Sequence, residues 1–168
     1  MQTLLKSDQI VLAEKEVKTN IKFINSRFGK LELDVNKTLF FPYGLVGLEN
    51  YKDFGLVNFP KNIVENFKIL QSLEDDNLSL ITYICNFQKV TNLISKIDIE
   101  KCCNVFNISK QNLAVIFVTS VHNFQDENAN PKQRVSINLR APLFIDTERN
   151  IGIQYVFTDN KYSIQHDL

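Results

Sequence analysis

From Ile21 onward the chain alternates with a period of two. Ile21, Phe23 and Asn25 interleave with Lys22 and Ile24, and Leu31, Leu33 and Val35 with Glu32 and Asp34. That period puts successive side chains on opposite faces of a strand. Between the two runs, Arg27-Phe28-Gly29-Lys30 carries a glycine suited to a hairpin turn. Asn36-Lys37 is a second turn, before Thr38-Leu39-Phe40-Phe41. Phe54–Phe59, Phe67–Ser72 and Leu78–Cys85 read as further strands, the last two joined by an acidic turn, Glu74-Asp75-Asp76-Asn77. Leu113–Val121 is a nearly unbroken apolar run, the pattern of a strand buried on both faces. Val135, Ile137 and Leu139 alternate until Pro142, as do Ile151, Ile153, Tyr155 and Phe157, and Asp159-Asn160 turns into Tyr162–Gln165.

One stretch has the helical period. Ile99, Cys102, Cys103 and Phe106 fall at i, i+3, i+4 and i+7, which predicts one short helix over Ile99–Phe106 with Asp98 as its N-cap. His122–Gln133 is polar, holds Pro131, and is predicted to be the longest and most mobile loop. Pro42-Tyr43-Gly44-Leu45-Val46-Gly47 is the strongest punctuation: Pro42 stops a strand, and Gly44 and Gly47 let the backbone bend sharply. Many short strands, tight turns and one helix predict a mainly β chain, an antiparallel β-barrel-like or sandwich domain. Residues 1–19 break the pattern. The segment 11–18 has a thin apolar face for a helix, so 1–19 read as an N-terminal extension dispensable for the fold, and 20–168 as a single domain.

Composition narrows the chemistry. With 168 residues, 44% of them hydrophobic, the chain can build one core without disulfides or metal. Nineteen basic residues balance nineteen acidic ones, which argues against a general nucleic-acid binder, because phosphate neutralisation requires surplus Lys and Arg. No apolar run approaches the roughly 18–20 residues of a membrane span, and the first residues lack the basic-then-apolar order of a secretory signal. Three cysteines, two of them adjacent at Cys102 and Cys103, fit a reducing cytoplasm and thiols used as small core residues. The only histidines are His122 and His166, and the spacings CxxC, HxH and HExxH are absent. Gly44 and Gly47 do not form a phosphate loop. No catalytic residue, metal ligand or cofactor is therefore assigned. The alternative is a small-ligand-binding or enzymatic barrel, which a polar pocket around Cys85 or His122 would favour.

Five motifs, in order over roughly residues 25–163, resemble one family, the flagellar assembly factor FliW. Arg27-Phe28-Gly29-Lys30-Leu31-Glu32-Leu33 is similar to its opening hairpin. Phe40-Phe41-Pro42-Tyr43-Gly44-Leu45-Val46-Gly47-Leu48-Glu49 resembles F-P-x-G-L-x-G-F-E, with Leu48 where Phe is usual. Leu70-Gln71-Ser72-Leu73-Glu74-Asp75 resembles L-Q-S-x-E-D, and Asn138-Leu139-Arg140-Ala141-Pro142 resembles N-L-x-A-P. Arg149-Asn150-Ile151-Gly152-Ile153-Gln154 resembles R-x-G-x-Q, with one residue more between Arg and Gly. Asn86-Phe87 replaces a usual proline.

Physically, Pro42, Gly44, Gly47, Gln71, Asn138, Pro142, Gly152 and Gln154 read as residues that maintain the fold. Asn138 is expected to satisfy backbone groups where its strand ends at Pro142, and Gln71 and Gln154 to find amide partners inside the barrel. The resemblance implies a non-enzymatic cytoplasmic regulator that binds flagellin and antagonises CsrA, an RNA-binding translational repressor, with no direct contact to nucleic acid or membrane. A repressor that holds phosphates must be basic. The acids Glu49, Asp53, Glu74, Asp75 and Asp76, in two turns beside family motifs, are therefore the expected CsrA-facing surface. Flagellin is expected to take an apolar groove bordered by strand residues.

Overall fold

The computed structural model describes residues 20–60 and 65–168; the 1–19 extension lies outside the described residues. Among the described residues eleven strands and two α-helices follow one another as β1 (Ile21–Ser26), β2 (Gly29–Asp34), β3 (Leu39–Phe40), β4 (Asp53–Val57), β5 (Phe67–Ser72), β6 (Ser79–Ile84), α1 (Phe87–Leu93), α2 (Lys96–Phe106), β7 (Leu113–Gln125), β8 (Pro131–Ile137), β9 (Leu143–Asp146), β10 (Ile151–Gln154) and β11 (His166–Asp167). Pairing runs β7-β6-β5-β4-β3-β10-β9, and β9 pairs back onto β7, so the ring closes. Closure removes the unpaired edges an open sheet would leave. The mainly β, barrel-like expectation holds, with one correction to its antiparallel character. β10 joins β3 in parallel at Ile151↔Phe40, where the Phe40 N–H donates to Asn150 O at 2.9 Å. A hairpin can make only antiparallel neighbours, whereas these two strands meet across most of the chain.

Alternation sorts the core into three parts. Phe41, Phe54, Leu70, Ile116, Leu143 and Ile145 cluster together as the barrel interior. The neighbours of Ile116 on β7, Val115 and Phe117, point the other way, against Ile99, Cys102 and Cys103 of α2. Residues 113–117 are thus covered on both faces, as their apolar run implies. On the opposite wall the β1–β2 hairpin lays Ile24, Leu31 and Leu33 over Ile69. Leu33 sits so close to Gly55 that a Cβ there would lie 2.1 Å from the leucine Cδ2.

Several boundaries differ from expectation. Among the described residues there are two α-helices, not one. The unpredicted α1 buries only Val90, too thin a face to show a period, and Asn86 caps it by accepting the Lys89 N–H at 2.9 Å. α2 begins at Lys96, and its N-cap is Ser95, not Asp98. The Ser95 hydroxyl accepts the Asp98 N–H at 3.2 Å while donating to the Asp98 carboxylate at 2.7 Å. The predicted loop over His122–Gln133 is instead a hairpin, with seven register pairs from Thr119↔Ile137 to Gln125↔Pro131. Its strands project from the barrel with both faces in solvent, so polar residues on both faces hide the period of two. β10 ends at Gln154: Tyr155 and Phe157 leave the sheet to donate their N–H groups to Pro142 O and Arg140 O. Tyr162–Gln165 is not a strand; β11 follows it.

The C-terminal segment is held against α2 by one carboxylate. Asp98, with a mostly buried side chain, accepts from Lys161 Nζ at 2.7 Å and from the Tyr162 hydroxyl at 2.5 Å. These donors, the lysine foremost, with Ser95 hold its carboxyl well below the usual 3.8. A depressed folded value means that the stabilisation is complete above the unfolded value and is lost as pH falls through the folded one. Asp98→Asn is therefore expected to cost about 2 kcal/mol at pH 7. In denaturant titrations the gap to wild type should stay constant down to about pH 5 and narrow below 3.8. A gap that persists unchanged at pH 2 would assign the loss to geometry and not to charge.

Candidate functional site

The punctuated loop behaves as its residues dictate. Gly44 and Gly47 both take left-handed backbone, φ +69° and +78°. The Gly44 N–H donates to Phe41 O at 2.9 Å, and the Leu48 N–H to Leu45 O at 2.8 Å, which folds residues 41–48 into a compact corner. Leu45 drops into the barrel interior. Glu49 accepts the Gly47 N–H at 2.8 Å, and that bond lowers its carboxyl pKa. Lys52 Nζ donates to Pro42 O at 3.0 Å.

Side-chain amides tie this corner to the other motifs. Gln154 Oε1 accepts the Val46 N–H at 2.7 Å, while its Nε2 donates to Ala141 O at 3.1 Å. Asn138 Oδ1 accepts the N–H groups of Arg140 and Ala141, both at 3.0 Å, so Pro142 follows a capped turn. Gly152 presents its bare Cα to the Phe41 ring. Arg149 pairs with buried Asp146 at 2.7 Å in the β9–β10 turn. Burial pushes the Asp146 carboxyl up, but the Arg149 N–H and guanidinium and the Glu148 N–H together hold it below its ordinary range.

Three of these segments meet around one apolar groove of about 340 Å³. Val46 and Leu48 come from the corner, Leu80 and Val118 from β6 and β7 at the barrel mouth, and Val156 and Ile164 from the C-terminal segment. Asn138, Arg140 and Gln154 supply its polar rim. Val46 is 65% exposed, Ile164 56% and Val156 44%, and Tyr43 on the same corner is 73% exposed. Isolated exposed apolar residues are ordinary, but convergence from distant segments marks a contact surface. Leu80 and Val118 escaped sequence reasoning because no local signal tells an inward strand residue at a barrel mouth from one in its middle, and Val156 and Ile164 because they lie outside any strand, where no period applies.

The second turn lies against the first. Glu74 accepts the N–H groups of Lys52 and Asp53, at 2.8 and 3.1 Å, and these bonds lower its carboxyl pKa. Gln71, fully buried, accepts from the Ser79 hydroxyl and donates to Ser72 O at 3.0 Å and Asp75 O at 3.1 Å. Ser72 Oγ in turn accepts the Glu74 and Asp75 N–H groups. Asp75 accepts the Asn77 N–H at 2.9 Å and the Tyr51 hydroxyl at 3.4 Å. The structure therefore brings Asp53, Glu74 and Asp75 together, with Asp76 exposed on the same turn. Glu49 and Glu74 each commit an oxygen to backbone N–H groups.

The cysteines belong to packing. Burial pushes all three thiols up, Cys102 to about 12, which disfavours the nucleophilic thiolate. His122 stands on the projecting hairpin, in register with Arg134. Among the described residues no cluster of three or more His, Cys, Asp or Glu is placed to hold a metal ion, and no helix is long and apolar enough to cross a membrane.

Known proteins are similar to this chain. A flagellar assembly factor FliW of Clostridium botulinum (strain Alaska E43 / Type E3) is 30% identical over 146 residues, 87% of this chain and 96% of the relative. One from Oceanobacillus iheyensis is 28% identical, covering 86% and 91%, and one from Thermosipho africanus is 28% identical, covering 86% and 93%. A crystal structure of the flagellar assembly factor FliW superposes with a TM-score of 0.63 at 20% identity, over 87% of this chain and 96% of that one, and so shares the fold. The family model described as FliW protein matches residues 22–168, nearly the whole described fold, and the chain belongs to that family of flagellar assembly factors.

Proposed function

We propose that this chain is a non-enzymatic cytoplasmic regulator that binds flagellin before export and, when free, antagonises CsrA so that flagellin mRNA is translated. The observation that carries the reading is the exposed apolar groove at the barrel mouth, built from three motif segments. Before assembly, flagellin's terminal segments are expected to be disordered and to offer apolar faces, which suit such a groove. The turns at 49–53 and 74–76 offer CsrA an acidic surface that speeds encounter with a basic protein and repels RNA. Exchange between two partners requires only differences in binding free energy.

Titration calorimetry of monomeric flagellin and of CsrA against two double variants tests both halves. Val46→Asp with Ile164→Asp alters exposed residues, and should leave stability within about 0.5 kcal/mol. It is expected to weaken flagellin at least tenfold, about 1.4 kcal/mol. Asp53→Lys with Asp76→Lys spares Glu49 and Glu74, whose oxygens hold backbone. It is expected to weaken CsrA by about tenfold at low salt and to flatten the salt dependence. Unchanged affinities in folded variants would remove the corresponding half.

A further inference from the structure

The barrel has a fork. β6 pairs with β7 only as far as Thr82↔Val118, and beyond it β7 continues alone with β8. The Asn138 N–H donates to Val118 O at 2.9 Å, so Val118 turns its backbone polar groups toward the β8 side. By the pleat, Ser120 and His122 do the same, and Thr119, Val121 and Asn123 turn theirs to the opposite edge. The last β6–β7 pair, Thr82↔Val118, takes up the Thr119 N–H, so among the described residues the edge has no strand partner from Val121 to Asn123. Edges are commonly guarded by proline or lysine. The far edge of β8 starts with Pro131 and Lys132 and is partly covered by β11, whereas β7 from Thr119 to Asn123 carries neither guard.

Both faces of the fork are apolar. On the outer face a cleft of about 360 Å³ is lined by Phe28, Leu80, Ile81 and Val121. On the inner face lies the mouth groove, which shares Leu80 and adds Val118. Thr119 lines the outer cleft with a buried hydroxyl that has no partner. Each side also holds a guanidinium, Arg27 outside and Arg140 inside. Arg27 donates to Ser79 O at 2.8 Å and lies over the Phe28 ring, and Arg140 donates to Tyr162 O and Asn160. Among the described residues neither pairs with a carboxylate.

We infer that an extended segment of flagellin adds as a strand to the β7 edge at Val121–Asn123. Its alternate side chains enter the outer cleft and the mouth groove, and its carboxylates meet Arg27 and Arg140. A bare strand edge selects extended backbone, two apolar clefts on its two faces select period-two side chains, and the unpaired guanidiniums select acids. The inference rests on the flagellin-binding reading and adds the binding mode.

Val121→Pro tests it. The N–H it removes faces the open edge, so the ladder with β8 is kept, and proline is accepted at such edge positions. With monomeric flagellin as the probe, the variant is expected to bind at least tenfold more weakly while its thermal midpoint stays near wild type. Amide exchange on the wild-type protein supplies a readout independent of the variant: the Val121 and Asn123 amides should slow when flagellin binds. Unchanged affinity in Val121→Pro, or bound wild type with those amides unprotected, overturns the inference and leaves flagellin binding standing. Protection of those amides in the free protein that grows with its own concentration would give the edge to a second copy and also overturn it. Wild type that does not bind flagellin at all fails the functional reading itself.

Discussion

Gly44→Ala is expected to destabilise the protein by about 3 kcal/mol, against about 1 kcal/mol for Gly47→Ala. Both residues hold positive φ, +69° and +78°, so each alanine carries the left-handed penalty of about 1–2 kcal/mol. They differ in what the new methyl meets. At Gly47 nothing lies within 4 Å of the added Cβ. At Gly44 it would stand 2.6 Å from Glu49 Cα and 2.7 Å from Glu49 O, backbone atoms that cannot swing aside. Glu49 is itself fixed by its bond to Gly47, so relief would unfold the corner and open the groove above it. Equilibrium denaturation of the two variants checks the ratio. Equal losses would mean that the corner shifts as a unit and that only φ matters.

Gly152→Ala is expected to cost about 2–3 kcal/mol, a lowering of the melting midpoint by roughly 4–12 °C for a chain of this size. The added Cβ would lie 2.3 Å from Phe41 Cε1 and 2.4 Å from its Cζ. Phe41 is fully buried and packs edge-on to Phe54 at 5.6 Å, so its ring has nowhere to turn. If that steric account is right, Phe41→Leu should recover part of the loss in the double variant, an interaction of the kind a double-mutant cycle isolates. Additive losses would point instead to the single β10–β3 pair as the weak element.

These two cases also show how far the sequence speaks. The corner at 42–47, the β1–β2 hairpin and β5 were legible because each rests on a local rule: a proline, a glycine, a period. The clash partners of Gly44 and Gly152 were not, since Glu49 and Phe41 reach them through the fold. Gly55 carried no signal at all; only its contact with Leu33 explains it. The β7–β8 hairpin was missed because solvent on both faces erases the alternation that reports a strand. Asp98 was seen as important but misplaced by one function: three residues into α2 it receives Lys161 and Tyr162 from the far end of the chain, which helix periodicity cannot know. Of the candidate site, the acidic turns were visible, and their mutual contact through Glu74 was not.

The parallel seam between β3 and β10 sets an order in time. Phe40 and Ile151 are 151 − 40 = 111 residues apart. At about 5–20 residues per second, a ribosome needs roughly 5–20 s to deliver the second after the first. Throughout that interval β3 is an open edge and Phe41 lacks the glycine it rests against. β4, β5 and β6 can pair as a meander as they emerge, since each meets its neighbour in sequence. The seam can shut only after β10 follows β9 out of the exit tunnel. A nascent chain released before Ile151 therefore leaves an unsealed barrel with a sticky β3 flank, and incomplete products are where quality control has to act first.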